Sequence, residues 1–272
     1  MQAENQTSVV VISCDAYQDL WEPFFAFFRK FWTDCPYKVY LTSNQQEFNS
    51  PGISVVKSGI PSDWSSELLA ALEQIPGDYI LVMLEDYFLR KPVDTKFIRD
   101  AENLVRGQNA DYLKVTCFPS KYNELWPYKK MESDPRFARI NNGAKYEVCL
   151  QVAFWKKEFL KSILTRGESP WQFEIEGSKK AARNNASCLC IVENKFSLGV
   201  HGPLKHLCGA VTKGVLMREA LRMGRKYNVG INLNARPIES PAREIARRIR
   251  IAMPMFVRHG LDFLGSRLNR KR

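Results

Sequence analysis

What this sequence lacks narrows its class. No stretch approaches the roughly 18 apolar residues of a membrane-spanning helix, and the opening Met1–Ser8 has neither the positive nor the apolar block of a secretory signal. The seven cysteines are odd in number, scattered, and without the paired spacing of a zinc site. A disulfide framework is therefore not expected, and reduced thiols in a reducing cytoplasm are. Histidine is scarce, at three residues. There is no internal repeat and no low-complexity tract, and Ser13-Cys-Asp-Ala-Tyr17, which follows the first strand-like run, has none of the glycines of a phosphate-cradling loop.

What is present is a chain of 272 residues, 45% hydrophobic, enough for a full core as one large domain with or without an appendage. The net charge is +11, and from Pro241 to Arg272 nine cations face only Glu244 and Asp262, a local excess of +7. Phosphate-bearing partners follow from such an excess: anionic headgroups, lipid-linked diphosphates or nucleic acid. In the same stretch Ile245, Ile249, Met253, Phe256 and Val257 fall at helical spacings among Arg243, Arg247, Arg248, Arg250 and Arg258, with Pro254 as a kink. This predicts a basic amphipathic helix on an anionic membrane surface. The alternative is a terminal helix packed on the domain with its basic face in water.

Along the chain, Val9–Ser13 reads as a buried strand. Asp19-Leu-Trp-Glu22 reads as a capping box ahead of an aromatic helix over Phe24–Trp32, and strands are expected at Tyr37–Leu41 and Ile53–Val56. A helix follows Asp63-Trp64, and Asp94 caps another that ends at Arg106-Gly107, with glycine as its left-handed exit. Strands are expected at Asp111–Phe118, Tyr146–Trp155 and Cys188–Val192. Short helices start at Lys156 and at Ser169-Pro170-Trp171. The β, α, β, α, β order predicts a parallel three-layer α/β sheet. Pro119–Gly143 reads as a long aromatic loop, of the kind that is usually functional.

The most informative run is Tyr79-Ile-Leu-Val-Met-Leu-Glu85-Asp86-Tyr87, six largely apolar residues ending in two adjacent carboxylates. A strand buried on both faces looks like this, and its carboxyl end opens onto the ligand crevice of an α/β sheet. Equally, a strand can simply become polar where it leaves the core.

Taken in order, these pieces resemble bacterial glycosyltransferases of the GT-A fold, over roughly residues 8 to 205. The resemblance implies a GT-A-like three-layer α/β/α catalytic domain over 1–208, with a donor half about 8–118 and an acceptor half about 119–208. A basic helical extension over 209–272 would follow it. It implies that Ser13, Asp15 and Asn44, with Asp63, Trp64 and Ser65, hold the nucleotide of a nucleotide-diphospho-sugar donor. Glu85-Asp86-Tyr87 stands where the family carries Asp-x-Asp or Glu-Asp-Asp. A divalent cation, Mn²⁺ or Mg²⁺, would sit on Asp86 and Glu85, with His201 of the octet Gly199–His206 completing its shell and Lys205 contacting the diphosphate. Tyrosine at the third motif position departs from the family. Either Asp86 or Glu85 takes over there, or positive side chains neutralise the leaving group instead of a metal.

The segment Ser169–Lys179 resembles the acceptor-side element. Glu174 is the first choice for the base that takes the acceptor hydroxyl proton and Glu176 the second, while Trp171, Trp126 and Tyr128 would line the acceptor pocket. The reading is a cytoplasmic, peripherally membrane-bound glycosyltransferase on the inner face of the cell membrane. It would act on a lipid-linked or polysaccharide acceptor, with inversion. Two rivals are a nucleic-acid-binding protein and a sugar nucleotidyltransferase. Nucleic acid is not expected as a partner, because the cations are not interleaved with aromatics in a recognisable module and the central carboxylates would repel a polyanion. The nucleotidyltransferase lacks its glycine-rich loop here.

Overall fold

The computed structural model describes residues 6–115, 128–192, 203–207 and 209–252. The chain divides into two compact units, Met1–Cys208 and Gly209–Arg272.

Strands β1 (Thr7–Ile12), β2 (Lys38–Ser43), β3 (Ile53–Lys57) and β4 (Tyr79–Leu84) pair in parallel in the order β3-β2-β1-β4. Further strands β5 (Tyr112–Lys114), β6 (Tyr128–Lys130), β7 (Phe137–Ile140), β8 (Ala153–Lys156) and β9 (Cys188–Ile191) extend the sheet beyond β4 as β8-β5-β9-β7-β6. The sheet is mixed rather than parallel throughout, because β8 runs antiparallel to both β4 and β5, and β7 runs antiparallel to β9. Residues 146–152 are irregular, so the strand expected from Tyr146 starts only at Ala153; Tyr146 has φ 55°, which breaks extended backbone.

Helices α1 (Trp21–Phe31), α2 (Trp64–Leu72), α3 (Thr95–Gly107), α4 (Lys157–Ile163) and α5 (Pro170–Arg183) join these strands. Sheet residues Val10, Ile12, Ile80 and Val82 share one core with Leu68 and Leu72 of α2, Leu160 of α4 and Phe173 of α5. Strand alternation turns the buried Val9, Val11, Leu81 and Met83 to the opposite face. There Phe27 of α1 meets Phe88 just beyond β4 (5.2 Å), and Trp32 donates to Thr95 at the start of α3 (3.0 Å).

Side-chain caps explain three helix starts. Asp94 accepts from Phe97 N (3.0 Å), and Ser169 with Gln172 forms a capping box before Pro170. Asp19 does not cap: Asp15–Leu20 is a 3-10 turn, and α1 begins after Leu20 with no side-chain cap. At the end of α3 the left-handed residue is Asn109 (φ 46°) and not Gly107, which stays inside the helix.

In the second unit, β10 (Val211–Thr212) and β11 (Val215–Leu216) form a hairpin whose turn residues Lys213 and Gly214 both have positive φ. Helices α6 (Arg218–Tyr227) and α7 (Pro241–Ala252) follow. Among the described residues no helix is long and apolar enough to cross a membrane, and the cysteines Cys14, Cys35, Cys149, Cys188 and Cys190 are free thiols.

Candidate functional site

Parallel registration, Ile12 beside Leu84 and Val11 beside Leu41, brings the carboxyl ends of β1, β2 and β4 to one edge. Ser13 donates its N–H to Thr42 Oγ1 (2.8 Å) and accepts at Oγ from Trp21 Nε1 (2.8 Å). The Asp15 carboxylate accepts the backbone N–H of Asn44 (2.9 Å), Gln45 (3.0 Å) and Gln46 (3.3 Å), while Asn44 Oδ1 accepts from Asp15 N (3.0 Å). Ser13, Asp15 and Asn44 therefore stand together, and they lock the loops after β1 and β2 into a rigid ledge. Burial raises the pKa of the Cys14 thiol on this ledge, with the charges of Glu85, Glu67 and Asp15 adding to the rise. Glu85 itself is buried and Asp86 half-buried, directly after β4.

Tyr87, in the third motif position, is also buried, and its ring stacks on His206 at 4.4 Å. The segment 203–207 lies beside the residues after the motif: Leu207 N donates to Phe88 O (2.9 Å), Arg90 N to Lys205 O (2.8 Å) and Asp94 N to Pro203 O (2.8 Å). The half-buried Lys205 thus has its backbone beside Arg90, a few residues past Asp86.

Burial pulls the His206 pKa down to about 4, the nearby Arg90 charge adding to the fall, so its ring is neutral at pH 7. Its Nδ1 meets the carbonyl of Leu207, which can only accept, so Nδ1 carries the proton and Nε2 the lone pair. That Nε2 is buried with no hydrogen-bond partner among the described residues. Sequence reasoning preferred His201 over His206. His201 lies outside the described residues, as does Trp126. The signal for His206 was its place in the same octet, but nothing local announces a stack on a tyrosine so far away in sequence.

The acceptor-side acid reaches the same edge. Glu174 Oε1 accepts the N–H of Leu150 (2.8 Å), and the next residue, Gln151, donates from Nε2 to the Tyr87 hydroxyl (3.2 Å). Consecutive residues just before β8 thus tie Glu174 to the motif after β4. Burial raises the Glu174 pKa, against the lowering pull of the Leu150 N–H and the Lys114 ammonium, which makes the carboxylate a better proton acceptor near neutrality. Glu176, about 200° further round the helix, points outward instead. It pairs with Lys179 (2.7 Å), which lowers its pKa.

Asp63 caps α2 by accepting from Ser66 N (2.9 Å), and it also accepts from Gly167 N (2.8 Å) and Ser65 Oγ (2.6 Å), which together hold its carboxyl well below the usual range. The Ser65 hydroxyl also lies 2.6 Å from Thr165 O, so its single proton is shared between the two acceptors, and its oxygen accepts from Glu168 N (3.1 Å), while Trp64 packs on Phe173 at 5.4 Å. What the fold asks of Asp63, Trp64 and Ser65 is to clasp the start of α2 to the loop that launches α5, and so to place Glu174.

Trp171, in the first turn of α5, is 68% exposed, and Ile175 lies one turn on. Beyond them a groove of about 560 Å³ runs between the Gly143–Tyr146 turn and α5, with Ile175 and Ala182 along its apolar side and Lys145, Lys179 and Arg183 around it. Tyr128 pairs with Ile140 through its backbone; its side chain lies outside the described residues. No group of three His, Cys, Asp or Glu side chains among the described residues is placed to hold a metal ion. Glu85 and Asp86 alone do not make a complete cation site.

No protein-family model matches the chain, and no curated protein matches it in sequence. Several solved structures align with parts of the chain. S. aureus TarS 1–349 is 15% identical with a TM-score of 0.45, over 72% of this chain and 60% of that one, so the chain spans less than two thirds of that structure. UDP-glucose pyrophosphorylase complexed with UDP-glucose is 6% identical with a TM-score of 0.44, over 74% of this chain and 91% of that one. A putative nucleotide-diphospho-sugar transferase from Desulfovibrio desulfuricans is 8% identical with a TM-score of 0.38, over 68% and 79%. Likenesses this faint carry no weight on activity.

Proposed function

We propose that the chain is a glycosyltransferase that moves one sugar from a nucleotide-diphosphate donor onto a hydroxyl of a glycan acceptor. One observation carries the reading: Glu174 and the Glu85-Asp86-Tyr87 motif, distant in sequence, are fastened to the neighbouring residues Leu150 and Gln151. An acid suited to accept a proton and the motif whose carboxylate pair would hold a cation for a diphosphate are thereby linked through two consecutive residues. In a single displacement the acceptor oxygen forms the new bond to the anomeric carbon, and the bond to the diphosphate breaks with its electron pair. The hydroxyl proton passes to Glu174, and the configuration inverts. Lys205 offsets charge on the departing nucleotide. Trp171 stacks on the acceptor sugar, and the groove along α5, with three cations, suits an acceptor carrying acidic groups. A lipid-linked or membrane-proximal glycan, of the sort used in bacterial surface polysaccharide, fits this site on the cytoplasmic side of the membrane.

Thermal-shift measurements against UDP, GDP, CMP and dTDP sugars test the donor half. A donor at about a hundredfold excess over its Kd stabilises the native state by about 2.7 kcal/mol. Adding Mn²⁺ or Mg²⁺ asks whether Asp86 and Glu85, with His201, bind a cation. Glu174→Gln is expected to keep the donor shift and to lose transfer by about a hundredfold or more, while Glu176→Gln leaves transfer intact. Transfer that survives in Glu174→Gln and vanishes in Glu176→Gln reverses the two acids. If no nucleotide sugar shifts the melting temperature, the reading fails.

A further inference from the structure

The second unit carries the whole charge excess of the chain. Residues 209–272 hold fifteen Lys and Arg against four carboxylates, a net +11, whereas 1–208 holds twenty-five of each and is neutral. Within that unit α7 is built inside out. Its packed side is polar: the buried Glu239 accepts from Arg247 Nε (2.9 Å) and Nη2 (3.1 Å), and the nearly buried Glu244 is met by Arg218 (3.4 Å), Arg222 and Arg248 (3.0 Å). These ion pairs lower both carboxyl pKa values. Its open side is apolar: Ile245 and Ile249, one turn apart, are 58% and 51% exposed, with Ala242 and Ala246 exposed near them. Arg243 is exposed, and the Arg248 side chain is 59% exposed at the margin of this stripe. A helix packed in water turns its apolar stripe inward; α7 does the reverse.

We infer that α7 lies flat on an anionic bilayer, with Ile245 and Ile249 sunk below the headgroups and Arg243 and Arg248 at the level of the lipid phosphates. Charge selects this occupant. A second copy covering the isoleucines would bring arginine against arginine, at a cost that an acidic surface turns into a gain. A nucleic acid would take the charge but offers no apolar medium for the isoleucines. The sequence beyond α7 continues the same composition, with Met253, Phe256 and Val257 followed by Arg258 and the closing Arg267-Leu-Asn-Arg-Lys-Arg272. This inference does not depend on the transfer reaction, since it concerns a different unit and needs no nucleotide sugar.

Flotation of the full chain with vesicles tests it. One set is phosphatidylcholine with about a third phosphatidylglycerol, the other phosphatidylcholine alone. The expected result is retention on the anionic vesicles at least about tenfold above the neutral ones, falling as salt rises. The paired change Ile245→Asp, Ile249→Asp is expected to lower retention at least about tenfold, Arg243→Gln with Arg248→Gln severalfold, and Ile245→Trp to raise it. An unchanged melting temperature shows that each variant is folded. Equal retention on neutral vesicles, or retention that survives the paired isoleucine change, overturns the inference. So does duplex or single-stranded nucleic acid binding without vesicle binding, and so does a dimer abolished by Ile245→Asp that ignores vesicles.

Discussion

His206 and Glu147 are titratable side chains that folding has removed from water, and they respond to pH in different windows. His206 has a pKa of about 4 in the fold against an ordinary 6.5, because burial penalises its charged form. Between those values the unfolded chain binds a proton that the folded chain refuses, so stability is lost as pH falls from about 6.5 to about 4, on the order of 3 kcal/mol in all. His206→Phe keeps a ring against Tyr87 and removes the titration, so urea unfolding across that window should show a flatter slope than in the parent.

Glu147 is fully buried, and its pKa is raised by that burial although Oε2 accepts from Gly143 N (2.9 Å). Its folded state holds a proton that the unfolded state releases above its ordinary carboxylate range, so its ionisation works against the fold at neutral pH. Glu147→Gln keeps an acceptor for Gly143 and needs no ionisation; it should raise the melting temperature at pH 7 and have little effect near pH 4. At this scale the sequence was legible where chemistry is local. Two acids two residues apart on a helix must face different ways, which is why Glu174 and Glu176 were separable alternatives. The neutral His206 was not legible, because its state comes from packing against residues more than a hundred positions away.

At the scale of elements, three helix starts could be read from their caps, since Asp63, Asp94 and Ser169 act within three residues of themselves. The direction of β8 could not, because antiparallel insertion between β4 and β5 is a non-local pairing that leaves no mark on local periodicity. The turn into β4 makes a sharp prediction. Gly77 has φ 93°, and a Cβ built there would lie 2.0 Å from the backbone oxygen of Gln6. Gly77→Ala must therefore both adopt a strained conformation and push apart the chain entering β1 and the turn entering β4. A loss of about 2–4 kcal/mol in urea unfolding is expected, together with weaker donor binding, because these strands carry the Asp15 and Glu85 ends. The clasp gives a second test. Asp63→Ala removes the cap of α2 and the tie to Gly167, for about 1–2 kcal/mol. It should depress transfer by loosening α5 and so displacing the Glu174 carboxylate, although Glu174 itself is unchanged.

At the scale of the whole molecule, charge divides the labour: a neutral unit holds the candidate site and a unit of net +11 follows it. The excess was visible in the sequence; the inward carboxylates and outward isoleucines of α7 were not, since helical spacing alone does not say which face is packed. The division has a measurable consequence, because salt screens long-range attraction to an extended anionic surface far more than contacts inside a pocket. Raising sodium chloride from about 0.05 M to about 0.5 M shortens the screening length from about 14 Å to about 4 Å. Over that range vesicle retention of the full chain should fall at least about tenfold, while the Kd for a nucleotide sugar should change by less than about threefold. Both quantities can be read on one preparation, by flotation and by thermal shift. If the two fell together, the site in the first unit would be drawing on the charge of the second, and the partition of roles between them would have to be abandoned.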